Sequence, residues 1–382
     1  MRFSFFRAPR RALPLLFLAC GSFLMSAAQA APSPLHTRGR DILDANNRIV
    51  TLRGVNLPSL EWTSAGENVL QSTKVLLNNW KVNFIRLPLS QDRWFGRAPE
   101  QTDGGAAYRQ LVDDTVQLIS THNAYVLLDL HWSDAGVWGQ DIGQHKMPDV
   151  NSEVFWLMVA DKYKNHSAVL FDLYNEPREV SWDVWRGGGE VVETQTVKNG
   201  DAPETTRELR YRTPGMQRLV DVIRAGGAKN PLVIGGLDWA YDLTGVMQGY
   251  ALSDPKGSGL IYSTHIYTWK GGSPAQWDEK AGNLGKTSPL LVGEFGAEPG
   301  ERGGEDPNTW VPKMLKYISD NHFSYAAWCF HIGATPRLIS DWNYTPTPYF
   351  GAYVKQALAD AAPKLIAPKI PRKTTLRKVV AR

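Results

Sequence analysis

The chain of 382 residues predicts a single closed (β/α)8 barrel. Two observations carry that prediction. Eight short apolar, β-branched runs recur along the chain with helical patterns between them, and a parallel sheet needs such helices as its crossovers. Two of those runs close on a glutamate, Glu176 and Glu294, where an apolar buried strand does not bury a charge unless something pairs with it or uses it. The composition, 43% hydrophobic and 21% charged, is ordinary for a folded chain with length enough for a large core.

The first thirty residues read as an export signal. Arg2, Arg7, Arg10 and Arg11 form a positive start, Leu13 to Met25 is largely apolar, and Ala28-Gln29-Ala30 is a small-x-small cleavage pattern. The apolar run is short for a bilayer span. Arg10-Arg11 resembles a twin-arginine signal, but the residues after it do not fit one. Cys20 is a conceivable lipidation site, yet the apolar stretch continues past it. The expected location is secreted or periplasmic. Only Cys20 and Cys329 are present, so the exported chain holds one thiol and no internal disulfide, and its stability must come from its core. Cys329 reads as a small buried hydrophobe rather than a nucleophile.

Residues 31–362 read as one barrel domain. Leu35 to Arg48, with the turn-like Asp44-Ala45-Asn46-Asn47-Arg48, predicts a short hairpin at the barrel bottom. The predicted strands are Ile49–Leu57, Val82–Leu89, Tyr125–His131, Val169–Glu176, Leu232–Leu237, Ile261–Tyr267, Leu290–Phe295 and Tyr325–His331. Helical patterns cover Ala106–His122, Glu153–Lys164, Pro214–Ala225, Ala275–Leu284, Thr309–Asn321 and Phe350–Ala361. An open doubly wound sheet is the alternative, but Arg53-Gly54-Val55-Asn56 is not the glycine-rich phosphate turn that fold uses. Arg178 to Thr213 is the longest irregular connection. It leaves the strand that ends at Glu176, so it is expected over the active face.

The net charge of +4 is unevenly placed. The signal contributes four arginines and the tail 363–382 seven basic residues, which leaves the body at −7. The basic pI therefore gives no argument for a nucleic-acid partner. The tail holds Pro363, Pro368 and Pro371 and reads as an extended solvated end. Contact of that tail with an anionic surface is the second reading.

In a barrel, chemistry comes from the carboxyl ends of the strands. Here those ends supply Arg86, His131 and Trp132, Asn175 and Glu176, His265 and Tyr267, Glu294, and Trp328. A strand-end arginine alone reads as an ion pair, and a lone histidine as a core residue. Convergence on one face is not explained that way. Two carboxylates facing each other across a sugar are the equipment for hydrolysing a glycosidic bond. The chain also has 14 tryptophans, and sugar rings stack on indoles. Trp132, Trp182, Trp239 and Trp269 follow closely on strand ends, so they are the expected platforms, and an aromatic groove suits a polysaccharide. His131, Asp134, Asp141 and His145 lack the tight spacing of a metal site. No cofactor and no metal is expected, and the chain reads as a monomer.

These elements, in this order, resemble glycoside hydrolase family 5, the cellulase family of retaining TIM-barrel enzymes. The matching residues are Arg86, His131, Asn175-Glu176-Pro177, His265-x-Tyr267, Glu294 and Trp328, and the likeness spans about Arg53 to Tyr353. The resemblance implies that Glu294 is the nucleophile, supported by Arg86 and Tyr267. It implies that Glu176 is the acid/base, with its proton held by burial and by the charge of Glu294. Asn175 would hold the sugar 2-OH, His131 and His265 would orient these groups, and Trp328 would floor the subsite of the cleaved sugar. The implied substrate is a β-1,4-glucan. Mannan, mixed-linkage glucan and a bacterial exopolysaccharide are the rivals, since loop residues set that choice. A non-catalytic polysaccharide-binding barrel would keep the tryptophans but has no need of both glutamates.

Overall fold

The computed structural model describes Met1 and residues 31–199 and 202–362. The expected signal, with Cys20, and the basic tail lie outside the described residues. The chain opens with an antiparallel hairpin of β1 (His36–Arg38) and β2 (Asp41–Leu43). It continues through β3 (Arg53–Asn56), β4 (Phe84–Ser90), β5 (Tyr125–Trp132) and β6 (Val169–Asp172). A long two-stranded ribbon, β7 (Gly189–Asn199) and β8 (Ala202–Thr213), interrupts the series. Then come β9 (Leu232–Gly235), β10 (Leu260–Tyr267), β11 (Leu290–Gly296) and β12 (Ser324–Ala327). Eight of these strands, β3 to β6 and β9 to β12, pair in parallel and in sequence order, and β12 closes on β3.

The helices lie between and after the strands. They are α1 (Val69–Val75), α2 (Gln91–Trp94), α3 (Ala106–Thr121), α4 (Asn151–Tyr163), α5 (Trp182–Gly187), α6 (Met216–Ala225), α7 (Pro274–Trp277), α8 (Pro307–Asn321) and α9 (Gly351–Ala361). The amphipathic α6 shows the logic: Leu219, Val220 and Ile223 recur at helical spacing and are buried on the barrel side. The predicted helix Ala275–Leu284 is instead the short α7 followed by a wider turn over Asp278–Gly282.

The lumen explains where function sits. The foot of each barrel strand contributes one apolar side chain: Leu52, Phe84, Leu127, Leu170, Val233, Ile261, Leu291 and Ala326. Leu35 and Ile42 of the N-terminal hairpin pack on this plug from below, as the hairpin was expected to do. Strand side chains facing one side repeat every second residue. Two residues beyond Phe84, Leu127 and Leu170 are therefore Arg86, Asp129 and Asp172, and the lumen turns from apolar to charged within one repeat.

Several strands are shorter than their apolar runs. Val169–Glu176 leaves the ladder at Asp172, Leu232–Leu237 at Gly235 and Tyr325–His331 at Ala327, and Ile49–Leu57 joins only at Arg53. Past the ends of β6 and β12, Leu173, Tyr174, Cys329 and Phe330 remain buried, which keeps them apolar without keeping them paired. The connection Arg178–Thr213 is also not irregular. It holds α5 and the β7–β8 ribbon, whose register pairs Gly189 with Thr213 and Asn199 with Ala202. Gly200-Asp201, the two residues between those paired positions, is a glycine-first dipeptide of the kind that marks a hairpin in sequence, and the reading passed over it.

Candidate active site

Arg86 is the centre of the site. It is fully buried, donates four hydrogen bonds and adds an ion pair with Asp129. Nε donates to Asp172 Oδ2 at 2.9 Å. Nη1 donates to Asn56 Oδ1 at 2.9 Å and Glu294 Oε1 at 2.7 Å. Nη2 donates to Asn175 Oδ1 at 2.8 Å and lies 3.0 Å from Asp129 Oδ2. One guanidinium thus faces three carboxylates. Burial pushes the Asp129 carboxyl up to about 7 and that of Asp172 well above the carboxylate range, against the pull of Arg86. The second oxygen of Glu294, Oε2, accepts from the Tyr267 hydroxyl at 2.6 Å.

Glu294 is aimed by a β-bulge. Thr264 of β10 pairs with Val292, but the next residue, His265, pairs with Glu294, so Gly293 is the extra residue. The slip puts His265 and Glu294 side by side. Only glycine is accommodated at the bulge, because a methyl group there would stand 2.3 Å from Ser263 Oγ and 3.0 Å from His265 Nε2.

Glu176 stands across the lumen. His265 Nδ1 lies 3.0 Å from Glu176 Oε1 and 3.5 Å from Glu294 Oε2. A carboxylate oxygen of each glutamate and a ring nitrogen of His265 all fall within 4.8 Å of one another. Burial raises the Glu176 carboxyl above its ordinary range. Gln144, whose amide donates to Glu176 Oε2, works against that rise, as do His131, Arg86 and Arg178. The charge of Glu294, to which the sequence reading gave part of this rise, is not among its main causes. His131 and His265 are both buried, which pushes each down to about 3 and keeps each ring neutral. His131 Nδ1 meets Asp129 Oδ2 at 2.6 Å, and its Nε2 meets Asn175 Nδ2 at 3.2 Å. With Oδ1 held by Arg86 and one N–H directed at His131 Nε2, Asn175 has one amide N–H left for a ligand.

These groups open into a cleft of about 380 Å³, lined by His131, Asn175, Glu176, His265, Tyr267 and Glu294, and walled by Trp239, Trp269 and Trp328. Trp328 stacks on His131 with centroids 5.5 Å apart. Trp269 stacks on Tyr267 at 4.8 Å, and Trp239 is 37% exposed beneath Lys270. Two expected platforms are not among the residues lining the cleft. Trp132 is the last residue of β5, past a register shift that skips His131 and pairs Trp132 with Ser90, and it does not line the cleft. Trp182 packs edge-on against the buried Trp185 in the α5 turn. The expected loop over the active face, the ribbon, contributes no lining residue among those described.

Glu176, His265 and Glu294 are also the grouping of metal-ligand types that closes tightly among the described residues. Its donor set does not suit a cation. Arg86 and Tyr267 already address the oxygens of Glu294 with N–H and O–H, an environment built for a bare carboxylate. Asp134 and His145, weighed earlier as ligands, are engaged elsewhere, with Gln91 and with Glu193. Sequence reasoning missed Asp129, Asp172 and Gln144. The first two sit inside apolar strands, and the argument that found the glutamates applies to them equally. Gln144 lies in a loop and carries no such signal.

The family model for cellulase, glycosyl hydrolase family 5, matches residues 43–333. The chain is similar to the major extracellular endoglucanase of Xanthomonas campestris, at 26% identity over 366 residues, covering 85% of this chain and 71% of that protein. It is similar to an endoglucanase of Paenibacillus polymyxa, at 23% identity over 377 residues, covering 85% of this chain and 88% of that one. Among solved structures, a β-glucanase of Saccharophagus degradans in complex with cellotetraose superposes with a TM-score of 0.67 at 23% identity, covering 87% of this chain and 95% of that one.

Proposed function

The chain belongs to glycosyl hydrolase family 5, the cellulase family, and from that premise we propose that it is an exported, retaining endoglucanase acting on β-1,4-linked glucan. The observation that carries retention is the spacing of the two glutamates. Retaining enzymes hold their carboxyls roughly 5 Å apart, whereas inverting enzymes need about 6.5–9.5 Å to admit a water. Oxygens of Glu176 and Glu294 within 4.8 Å fit the first class.

In this reading Glu294 attacks the anomeric carbon while Glu176 gives its proton to the leaving glycosidic oxygen. The bond to that oxygen breaks and an ester to Glu294 forms. Glu176, now ionised, takes a proton from water, the water oxygen attacks the anomeric carbon, and Glu294 departs. Arg86 and Tyr267 hold Glu294 in line, and Asn175, fixed by Arg86, offers its amide to the 2-OH. Trp328 floors the subsite of the cleaved sugar, and Trp239 and Trp269 extend it for a chain. His131 and His265 stay neutral and orient Asn175 and Glu176. Residues 31–362 are the catalytic unit in this proposal, released by removal of 1–30. The tail 363–382 is a solvated extension, with contact to an anionic surface as its second reading. The extracellular relative in Xanthomonas campestris supports export.

The test is a reducing-end assay on carboxymethyl cellulose, barley β-glucan, glucomannan, galactomannan and xylan, with Glu176→Gln and Glu294→Gln alongside. Turnover of a β-1,4-glucan that disappears in both variants is expected, with the product anomer matching the substrate by NMR. A product of opposite anomeric configuration refutes the double displacement. Turnover of only a mannan, or of only aryl glycosides, moves the substrate to the rivals while leaving the chemistry in place.

A further inference from the structure

No described residue of the β7–β8 ribbon lines the cleft, yet among its described side chains Val191, Glu193, Tyr211 and Thr213 are buried. Glu193 and Tyr211 grip the loop between β5 and α4. Lys146 N donates to Glu193 Oε2 at 3.1 Å, and His145 Nδ1 lies 3.3 Å from the same oxygen. The Tyr211 hydroxyl accepts from Met147 N at 3.1 Å and donates to Met147 O at 3.1 Å. Farther out, Arg207 pairs with Asp141 of the same loop. From the barrel side, Arg178 Nη2 donates to Gln144 O at 2.8 Å and the Tyr174 hydroxyl donates to His145 O at 3.0 Å. The loop is clamped on both sides at residues 144–147, and the first of these puts its amide on Glu176 Oε2.

We propose that Gln144 is a positioning residue that tunes Glu176, and that the β7–β8 ribbon holds it in place. The proposal rests on the reading of Glu176 as acid/base. An amide N–H bonds an ionised carboxylate more strongly than a neutral one, so Gln144 favours loss of the proton from Glu176. The other groups facing Glu176 are Arg86, Arg178, His131, His265, Asp129, Tyr267 and Glu294. None of them belongs to the ribbon or to the loop Gln144 occupies. Burial holds the proton on Glu176, the Gln144 hydrogen bond acts in the opposite direction, and a displaced loop forfeits that opposing contact.

The experiment is the pH profile of kcat/KM on the polysaccharide the panel selects. It compares the parent protein with Gln144→Met, which keeps the side chain's length and loses its donor, and with Glu193→Ala/Tyr211→Phe. The alkaline limb reports the acid that must be protonated. In Gln144→Met it should move to higher pH by about one unit, the size of one hydrogen bond to a charged acceptor. The ribbon variant should move it in the same direction, and a role in stability alone would lower kcat without moving the limb. Glu176→Ala is the control, assayed on unactivated glucan and on a dinitrophenyl cellobioside. An unmoved limb in Gln144→Met, with Glu176→Ala still impaired on glucan and active on the aryl glycoside, overturns the proposal and leaves the acid/base assignment standing. A limb that moves in Gln144→Met but not in the ribbon variant overturns the ribbon's part. Full turnover of glucan by Glu176→Ala overturns the assignment, and the proposal with it.

Discussion

Glu61 offers a direct test of how burial governs charge in this barrel. It sits in the loop after β3, is 1% exposed, and accepts one hydrogen bond at Oε2 from Ser59 N at 2.8 Å. Its other oxygen, Oε1, is buried without a hydrogen-bond partner. Burial pushes this carboxyl from its usual 4.5 up to about 8. A carboxyl raised by folding stabilises the protein below its unfolded value, and that stability is lost as pH rises through the folded one. Each pH unit costs about 1.4 kcal/mol, so the loss is about 3 kcal/mol by pH 7 and levels off near 5 kcal/mol above pH 8. Glu61→Gln keeps the shape and the acceptor for Ser59 N and removes the titration. The two proteins should therefore differ by no more than about 1 kcal/mol near pH 5, and the variant should be the more stable by about 3 kcal/mol at pH 7, with the gap still widening at pH 8. Urea unfolding followed by tryptophan fluorescence at pH 5, 6, 7 and 8 measures this. Parallel stability curves for the two proteins would refute the reasoning, because they would mean that Glu61 is as easily ionised inside the fold as outside it.

Two further perturbations probe the lumen. Arg86→Met leaves three carboxylates without their shared cation and should cost about 3–5 kcal/mol as well as turnover, so an unchanged thermal midpoint would contradict the role given to this residue. Gly293→Ala forces a methyl group against Ser263 Oγ and His265 Nε2. It should cut kcat more than tenfold with an unaltered circular dichroism spectrum, and adding Ser263→Gly should return part of the activity; no recovery in the double variant would argue against the clash as the cause.

The barrel was legible because its two periodicities are strong. Apolar runs mark the strands, and α3, α4, α6 and α8 follow amphipathic stretches close to their predicted limits. Strand ends were less legible, since Leu173, Tyr174 and Phe330 stay buried after the ladder has stopped and therefore look like more strand. The two glutamates were legible for an energetic reason: a charge in an apolar strand is costly unless it is used. The same logic was available for Asp129 and Asp172. Trp132 and Trp182 show where proximity in sequence misleads. Being at or a few residues past a strand end places a side chain near the active face but does not choose its direction, and the register shift at His131 breaks the alternation that would have assigned one to Trp132. Gly293 was a readable sign, because glycine inside a strand commonly marks a bulge. Gln144 was not, because its position depends on a loop clamped by a ribbon far along the chain.

The contrast between the two glutamates follows from how one cation is shared. Arg86 touches Glu294 at 2.7 Å, Asp172 at 2.9 Å and Asp129 at 3.0 Å, all within a lumen closed below by apolar side chains. Three full negative charges around one positive charge cannot be stable there, so burial must neutralise some of them. Burial raises the carboxyls of both Asp129 and Asp172, and Oδ1 of each has no hydrogen-bond partner. A neutral Asp172 still accepts from Arg86 Nε and so still aims the guanidinium, but it no longer competes for the charge. That leaves the cation to Glu294, the nucleophile of the proposed mechanism. Glu176, at the mouth of the same lumen, receives its hydrogen-bond contacts from the neutral groups His265 and Gln144. With no cation bonded to it, burial prevails and raises its carboxyl, the direction that the proposed acid/base role requires.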